Sequence, residues 1–114
     1  MNKDEAIKIV KANSLDFKKL PTKFRKDKEV SSEAIKQYGC LLQFADETLK
    51  NDKAFVLKTM KKYGYALQFV SSNLKRDKEV VMTAVTQNGY ALEFADKDLQ
   101  NDKEIIFAAI NQNG

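Results

Sequence analysis

Residues 77–101 read DKEVVMTAVTQNGYALEFADKDLQN, and this stretch decides the fold because the chain says nearly the same thing every 25 residues. Asp27, Asp52, Asp77 and Asp102 stand in register, each followed by a lysine: Lys28, Lys53, Lys78 and Lys103. Gly39, Gly64, Gly89 and Gly114 align, then Leu42, Leu67 and Leu92, then Phe44, Phe69 and Phe94, then Leu49, Leu74 and Leu99. A period of 20 to 50 residues marks stacked units, none of which can bury its apolar face without a neighbour.

Within the quoted unit, Asp77 is an N-cap, its carboxylate placed to accept from free amides of a first helical turn, and Glu79 sits where the helix dipole favours an acid. Val80, Val81, Ala84 and Val85 make one continuous face at 3.6 residues per turn. Gly89 closes the helix, and a left-handed glycine with a Schellman contact between Tyr90 and Val85 is the expected terminator, repeated as Met60 with Tyr65. Tyr90, Ala91, Leu92, Phe94 and Ala95 then predict a short helix of one or two turns crossing the first. Asp96, like Asp46 and Ser71, reads as a second cap, opening a single turn of 3₁₀ type pinned by Leu99. The fold class predicted is all-α, an α-solenoid of 25-residue units, each a long helix, a short helix and a turn.

The units divide as 27–51, 52–76 and 77–101, with 102–114 a partial fifth. Residues 1–26 form a degenerate first unit: Ser14 replaces the glycine, Asp16 aligns with Leu41, Ala66 and Ala91, Lys19 replaces the phenylalanine, and Pro21 has no counterpart. A terminal unit has one face without a neighbour, so polar substitutions there cost little, and we read residues 1–26 as an N-terminal cap. At the other end Ile105, Ile106 and Ile110 are expected to be partly uncovered.

The run Asp77-Lys78-Glu79-Val80-Val81, then Ala84-Val85, then Gln87-Asn88-Gly89-Tyr90-Ala91-Leu92 resembles the repeat of domain-of-unknown-function family 4116, over residues 27 to 114. The resemblance implies a tandem helical scaffold without an established activity, and it brings no catalytic residues with it.

Of the 114 residues, 43% are hydrophobic and 32% charged, within the range of a folded soluble domain. No apolar run approaches the roughly 18 residues of a membrane span, and Met1 to Val10 is charged where a signal peptide would be apolar. We therefore expect a cytoplasmic protein with no membrane partner. Cys40 is the single cysteine, aligned with Tyr65 and Tyr90, and reads as a small packing residue. With no histidine, no Gly-rich phosphate loop and no carboxylate pair outside the caps, catalysis, cofactors and metal ions are not expected.

Three binding roles follow. Gln43, Gln68 and Glu93 align on the short segment, while Lys36 with Lys61 and Thr86, and Gln37 with Lys62 and Gln87, align on the polar side of the long helix. These rows vary more than the core positions, as the recognition surface of a repeat scaffold does, so a protein–protein interaction module is the leading expectation. The cluster Lys18, Lys19, Lys23, Arg25, Lys26 and Lys28 would suit weak nucleic-acid binding, opposed by the acidic C-terminal portion. Residues 1–28 carry nine basic against four acidic residues and residues 77–114 three against seven, a polarity that would favour head-to-tail self-association.

Overall fold

A computed structural model describes residues 1–113, with side chains through Asn111; Gly114, the last glycine of the register, lies outside the described residues. Each long helix begins at an aspartate or asparagine whose side chain accepts from the first-turn amides. Asn2 caps α1 (Lys3–Ala12), Asp27 caps α3 (Lys28–Ile35), Asp52 caps α5 (Lys53–Lys62) and Asp77 caps α7 (Lys78–Gln87). Asp102 accepts from Glu104 and Ile105 at the start of α9 (Lys103–Asn113).

After each long helix comes a six-residue 3₁₀ segment: Ser14–Lys19, Gly39–Phe44, Gly64–Phe69 and Gly89–Phe94. A four-residue α turn follows: α2 (Thr22–Arg25), α4 (Glu47–Lys50), α6 (Ser72–Lys75) and α8 (Lys97–Gln100). Asp46, Ser71 and Asp96 cap three of these turns, as their spacing predicts. The second part is thus the expected short helix of two turns, of 3₁₀ type, and the third is a single turn of α rather than 3₁₀ type. Extended residues such as Asn88 and Ala95 bracket the apolar six and leave room for i→i+3 bonds only, whereas the capped turn before each leucine closes an i→i+4 bond. The degenerate first unit folds like the others, with Phe17 fully buried in the slot of Leu42 and Leu67, and Pro21 in the N-cap slot of α2.

The left-handed glycine cap is corrected by the structure. No glycine among the described residues has positive φ, and the long helices of the third and fourth units end at Tyr63 and Asn88 with extended φ. Tyr90 stands 77% exposed instead of folding back as a Schellman contact requires. Glycine is needed because the next unit comes too close. A Cβ on Gly39 would fall 2.7 Å from Tyr63 Cβ and against its ring, and one on Gly64 would strike the carbonyl of Ala84 and come 2.9 Å from Gln87 Oε1.

Units stack into an elongated array, 48 × 25 × 18 Å. Val30, Ala34, Leu42, Val56, Met60, Leu67, Val80, Val81, Ala84 and Val85 are buried in a core continuous from unit to unit. Phe44, Phe69, Phe94 and Leu99 are half-buried against its rim. A main-chain bond fixes the stacking register: Asp46 N–H donates to the carbonyl of Arg25, Ser71 to that of Lys50 and Asp96 to that of Lys75, at 3.0 to 3.1 Å. At the C-terminal edge Ile105 is fully buried, contrary to expectation, because α9 packs it against α7. Ile106 is half-buried, and Ile110 is 62% exposed.

Gly39→Ala should cost about 1 to 3 kcal/mol in urea unfolding, the penalty of overpacking. In a Tyr63→Gly background the same substitution should cost little, because both the colliding ring and its Cβ are gone. An equal cost in both backgrounds would return the glycine to a conformational role.

Candidate interaction surface

Much of the polar surface is committed to holding units together. Lys3 reaches Asp27 at 3.5 Å and Glu29 at 2.9 Å, Lys28 reaches Asp52 at 3.0 Å, Lys53 reaches Asp77 at 3.0 Å and Glu79 at 2.9 Å, and Lys78 reaches Asp102 at 3.2 Å and Glu104 at 3.1 Å. Each aspartate cap is therefore shared between its own helix and the lysine of the unit before. Ala54 stands where the others have Glu29, Glu79 and Glu104, so Lys28 has one partner instead of two.

The ladder leaves its mark on acidity. The Phe55 amide, and then Lys28, hold the Asp52 carboxyl below the ordinary aspartate value, and Lys78 does the same for Asp102. For Asp77, burial pushes upward, but Lys53 and the Val80 amide outweigh it and the net shift is down. Lys53 and Lys78 are raised, first by Glu79 and Glu104 and then by the two aspartates.

The basic N-terminal cluster is also partly committed. Arg25 donates to the carbonyls of Leu20 and Phe44 at 2.9 and 3.1 Å and to Thr22 Oγ1 at 2.9 Å. Lys28 belongs to the ladder, Lys19 lies 3.6 Å from Asp16, and Lys18 and Lys23 sit over the rings of Phe44 and Phe24.

All eight candidate surface residues are exposed: Lys36, Gln37, Gln43, Lys61, Lys62, Gln68, Gln87 and Glu93. They are not equivalent. Gln87 Oε1 accepts from the Gly64 amide at 2.6 Å and so serves the stacking of units. Gln43 and Gln68 turn back onto the carbonyls of Cys40 and Tyr65. Cys40 is half-buried with a free thiol. Lys36 and Lys62 come together at a feature the sequence did not single out, a cleft of about 250 Å³ between α3 and α5. Its lining includes Ser32, Ile35, Phe55, Lys58, Thr59 and Tyr63, and its surface is mostly apolar.

The cleft exists because α3 and α5 stand apart, whereas α1 with α3, α5 with α7, and α7 with α9 pack closely. At the closely packed crossings the later helix contributes Val30 and Ala34, Val80 and Ala84, or Ile105 and Ala109. In these slots α5 carries Phe55 and Thr59, both bulkier, and on the facing helix Ser32 replaces the large side chains Ile7, Leu57, Met82 and Phe107 of the same row. A wedge on one wall and a missing side chain on the other leave the space open. The signal was in the alignment of units, as the one small residue in a row of large ones.

Among the described residues no three His, Cys, Asp or Glu side chains converge as a metal site, and no helix is long and apolar enough to cross a membrane.

The model of the family described as a domain of unknown function, DUF4116, matches residues 2–50, 29–75 and 77–114. The chain belongs to the DUF4116 family. The match takes in the degenerate first unit, in agreement with its shared geometry. No curated protein and no solved structure matches the chain.

The shared caps predict a pH profile. A carboxyl held below its ordinary value of 3.8 stabilises the fold above that value and loses the contribution as pH falls through the depressed one. A lysine raised above 10.5 stabilises below that value and loses the contribution as pH rises through the raised one. Urea midpoints should therefore be level from about pH 5 to about pH 9 and fall on both sides. A midpoint unchanged down to pH 3 would show that the caps are not coupled to folding.

Proposed function

We propose that the protein is a non-catalytic interaction scaffold whose recognition surface is the exposed side of its long helices, centred on the α3/α5 cleft. One observation carries this reading. The acidic caps, their lysines, the glycines and Gln87 are taken up in contacts between units, while Lys36, Lys58 and Lys62 line a cleft between α3 and α5 whose apolar floor no repeat contact fills, with Lys62 also donating to the Lys36 carbonyl across it. Nucleic acid is less well supported, because Arg25 and Lys28 of the basic cluster are held inside the array. A photo-crosslinking residue at position 36 or 58 should trap protein adducts in cells of the source organism, and one at position 43 or 72 should trap far fewer. Equal adduct yields at all four positions would sink the reading.

Head-to-tail stacking of copies is the second reading. The C-terminal edge favours it: among the described residues Lys103 is in no ion pair, and Phe107 and Ile110 are 67% and 62% exposed. The N-terminal edge opposes it. Pro21 holds the slot of Asp46, Ser71 and Asp96 and has no N–H to give to a carbonyl in the position of Gln100, and Asn2 offers no charge to a lysine in the position of Lys103. We expect light scattering at low salt to give a mass near 13.0 kDa, with self-association appearing once Asn2→Asp and Pro21→Ser are combined. A wild-type dimer that dissociates with salt would reverse this order.

A further inference from the structure

We propose that the α3/α5 cleft binds an acidic peptide segment of a partner protein, taking one aromatic or branched aliphatic side chain between Ser32, Phe55 and Thr59 while flanking carboxylates meet Lys36, Lys58 and Lys62. The proposal rests on the scaffold reading above and names the chemistry of its partner.

Volume sets the size of what enters. A cavity of about 150 Å³ already takes benzene, and drug-sized ligands occupy about 300 to 1,000 Å³. At about 250 Å³ the cleft fits one large side chain and little else. Its walls select for an apolar group, since Ile35 and Phe55 are buried and the polar atoms nearby are largely engaged. Thr59 Oγ1 donates to the carbonyl of Phe55 at 3.2 Å, and Tyr63 Oη donates to that of Lys36 at 2.8 Å.

Charge sets the sign of what surrounds it. Lys36 is shared with Glu33 at 3.2 Å, Lys62 leans over the Tyr63 ring and donates to the Lys36 carbonyl at 3.4 Å, which leaves its charge unneutralised, and Lys58 is in no ion pair among the described residues. Among the described residues Glu33 is the one acid in an ion pair with this group, so the rim keeps an excess of positive charge that steers an acidic segment toward it. A nucleic-acid strand needs a continuous basic track, and here the cations encircle a single apolar hole.

The array supplies its own control. One unit along, between α5 and α7, Leu57, Thr83 and Gln87 stand in the slots of Ser32, Lys58 and Lys62, and the helices are closely packed. One unit back, Ile7, Glu33 and Gln37 take those slots. Among the described units, the splayed crossing, the small side chain and the three lysines occur together at one place.

The test is selection of a random nonapeptide display library on the full chain, with anisotropy of the enriched peptides on wild type, Ser32→Leu and Lys58→Glu/Lys62→Glu. Because Ser32 is exposed and Leu57 fills the equivalent slot, Ser32→Leu should fold, which its thermal midpoint checks. The expected result is peptides with acids around one Phe, Tyr, Leu or Ile, bound at least tenfold more weakly by either variant. Replacing the anchor with Ser should weaken binding about tenfold or more. Enriched peptides that bind Ser32→Leu as well as wild type would overturn the cleft and leave the scaffold reading standing elsewhere on the array. A library that yields no binder would overturn both. A single-stranded DNA oligonucleotide that outcompetes the peptides through Lys58 and Lys62 would overturn it in favour of nucleic acid.

Discussion

The structure depends on a shared carboxylate. A helix begins with backbone N–H groups that have no partner inside it, and here an aspartate satisfies them while its other oxygen holds a lysine from the unit before. Asp77 accepts from Val80 at 3.1 Å through Oδ1 and from Lys53 at 3.0 Å through Oδ2. Local helix initiation and the stacking register are thereby fixed by the same group. The main-chain bonds from Asp46, Ser71 and Asp96 to the turn before repeat the arrangement at the short turns.

These polar links direct the assembly more than they stabilise it. Their lysines are about half exposed, and ion pairs in that setting are weakened by solvent and salt. The energy comes from the core, where each fully buried Val, Leu or Met contributes about 1.5 to 3 kcal/mol against the entropy of ordering the chain. A one-residue slip would move Val80, Ala84 and Val85 away from their partners and separate every lysine from its cap. Weak interactions repeated in register can therefore select one stacking among many.

Departures from the repeat carry the individuality of the chain. Phe55 and Thr59 hold two helices apart, Ser32 leaves the space unfilled, and Ala54 removes one rung of the ladder at the same crossing. Pro21 and Asn2 close the N-terminal edge to the bond and the charge pair that join interior units, although Phe17, Leu20 and Phe24 keep that unit's core intact. A solenoid tolerates such changes because each unit contacts only its neighbours.

The sequence by itself determined the period, the caps and the core, since these are local: an aspartate before an amphipathic helix, or a valine at 3.6-residue spacing, behaves alike in any neighbourhood. Gly39 and Gly64 show what it could not decide. A missing Cβ serves a left-handed turn or a close approach equally well, and only the position of Tyr63 and Ala84 in the next unit distinguishes the two. The same holds for the exposed rows. Lys36 and Lys62, 26 positions apart, read as separate entries in two aligned rows, and Gln87 looked like their peer. Tertiary structure brought the two lysines to one cleft and turned the glutamine onto the Gly64 amide, because contact between units depends on distances that no single stretch of chain encodes.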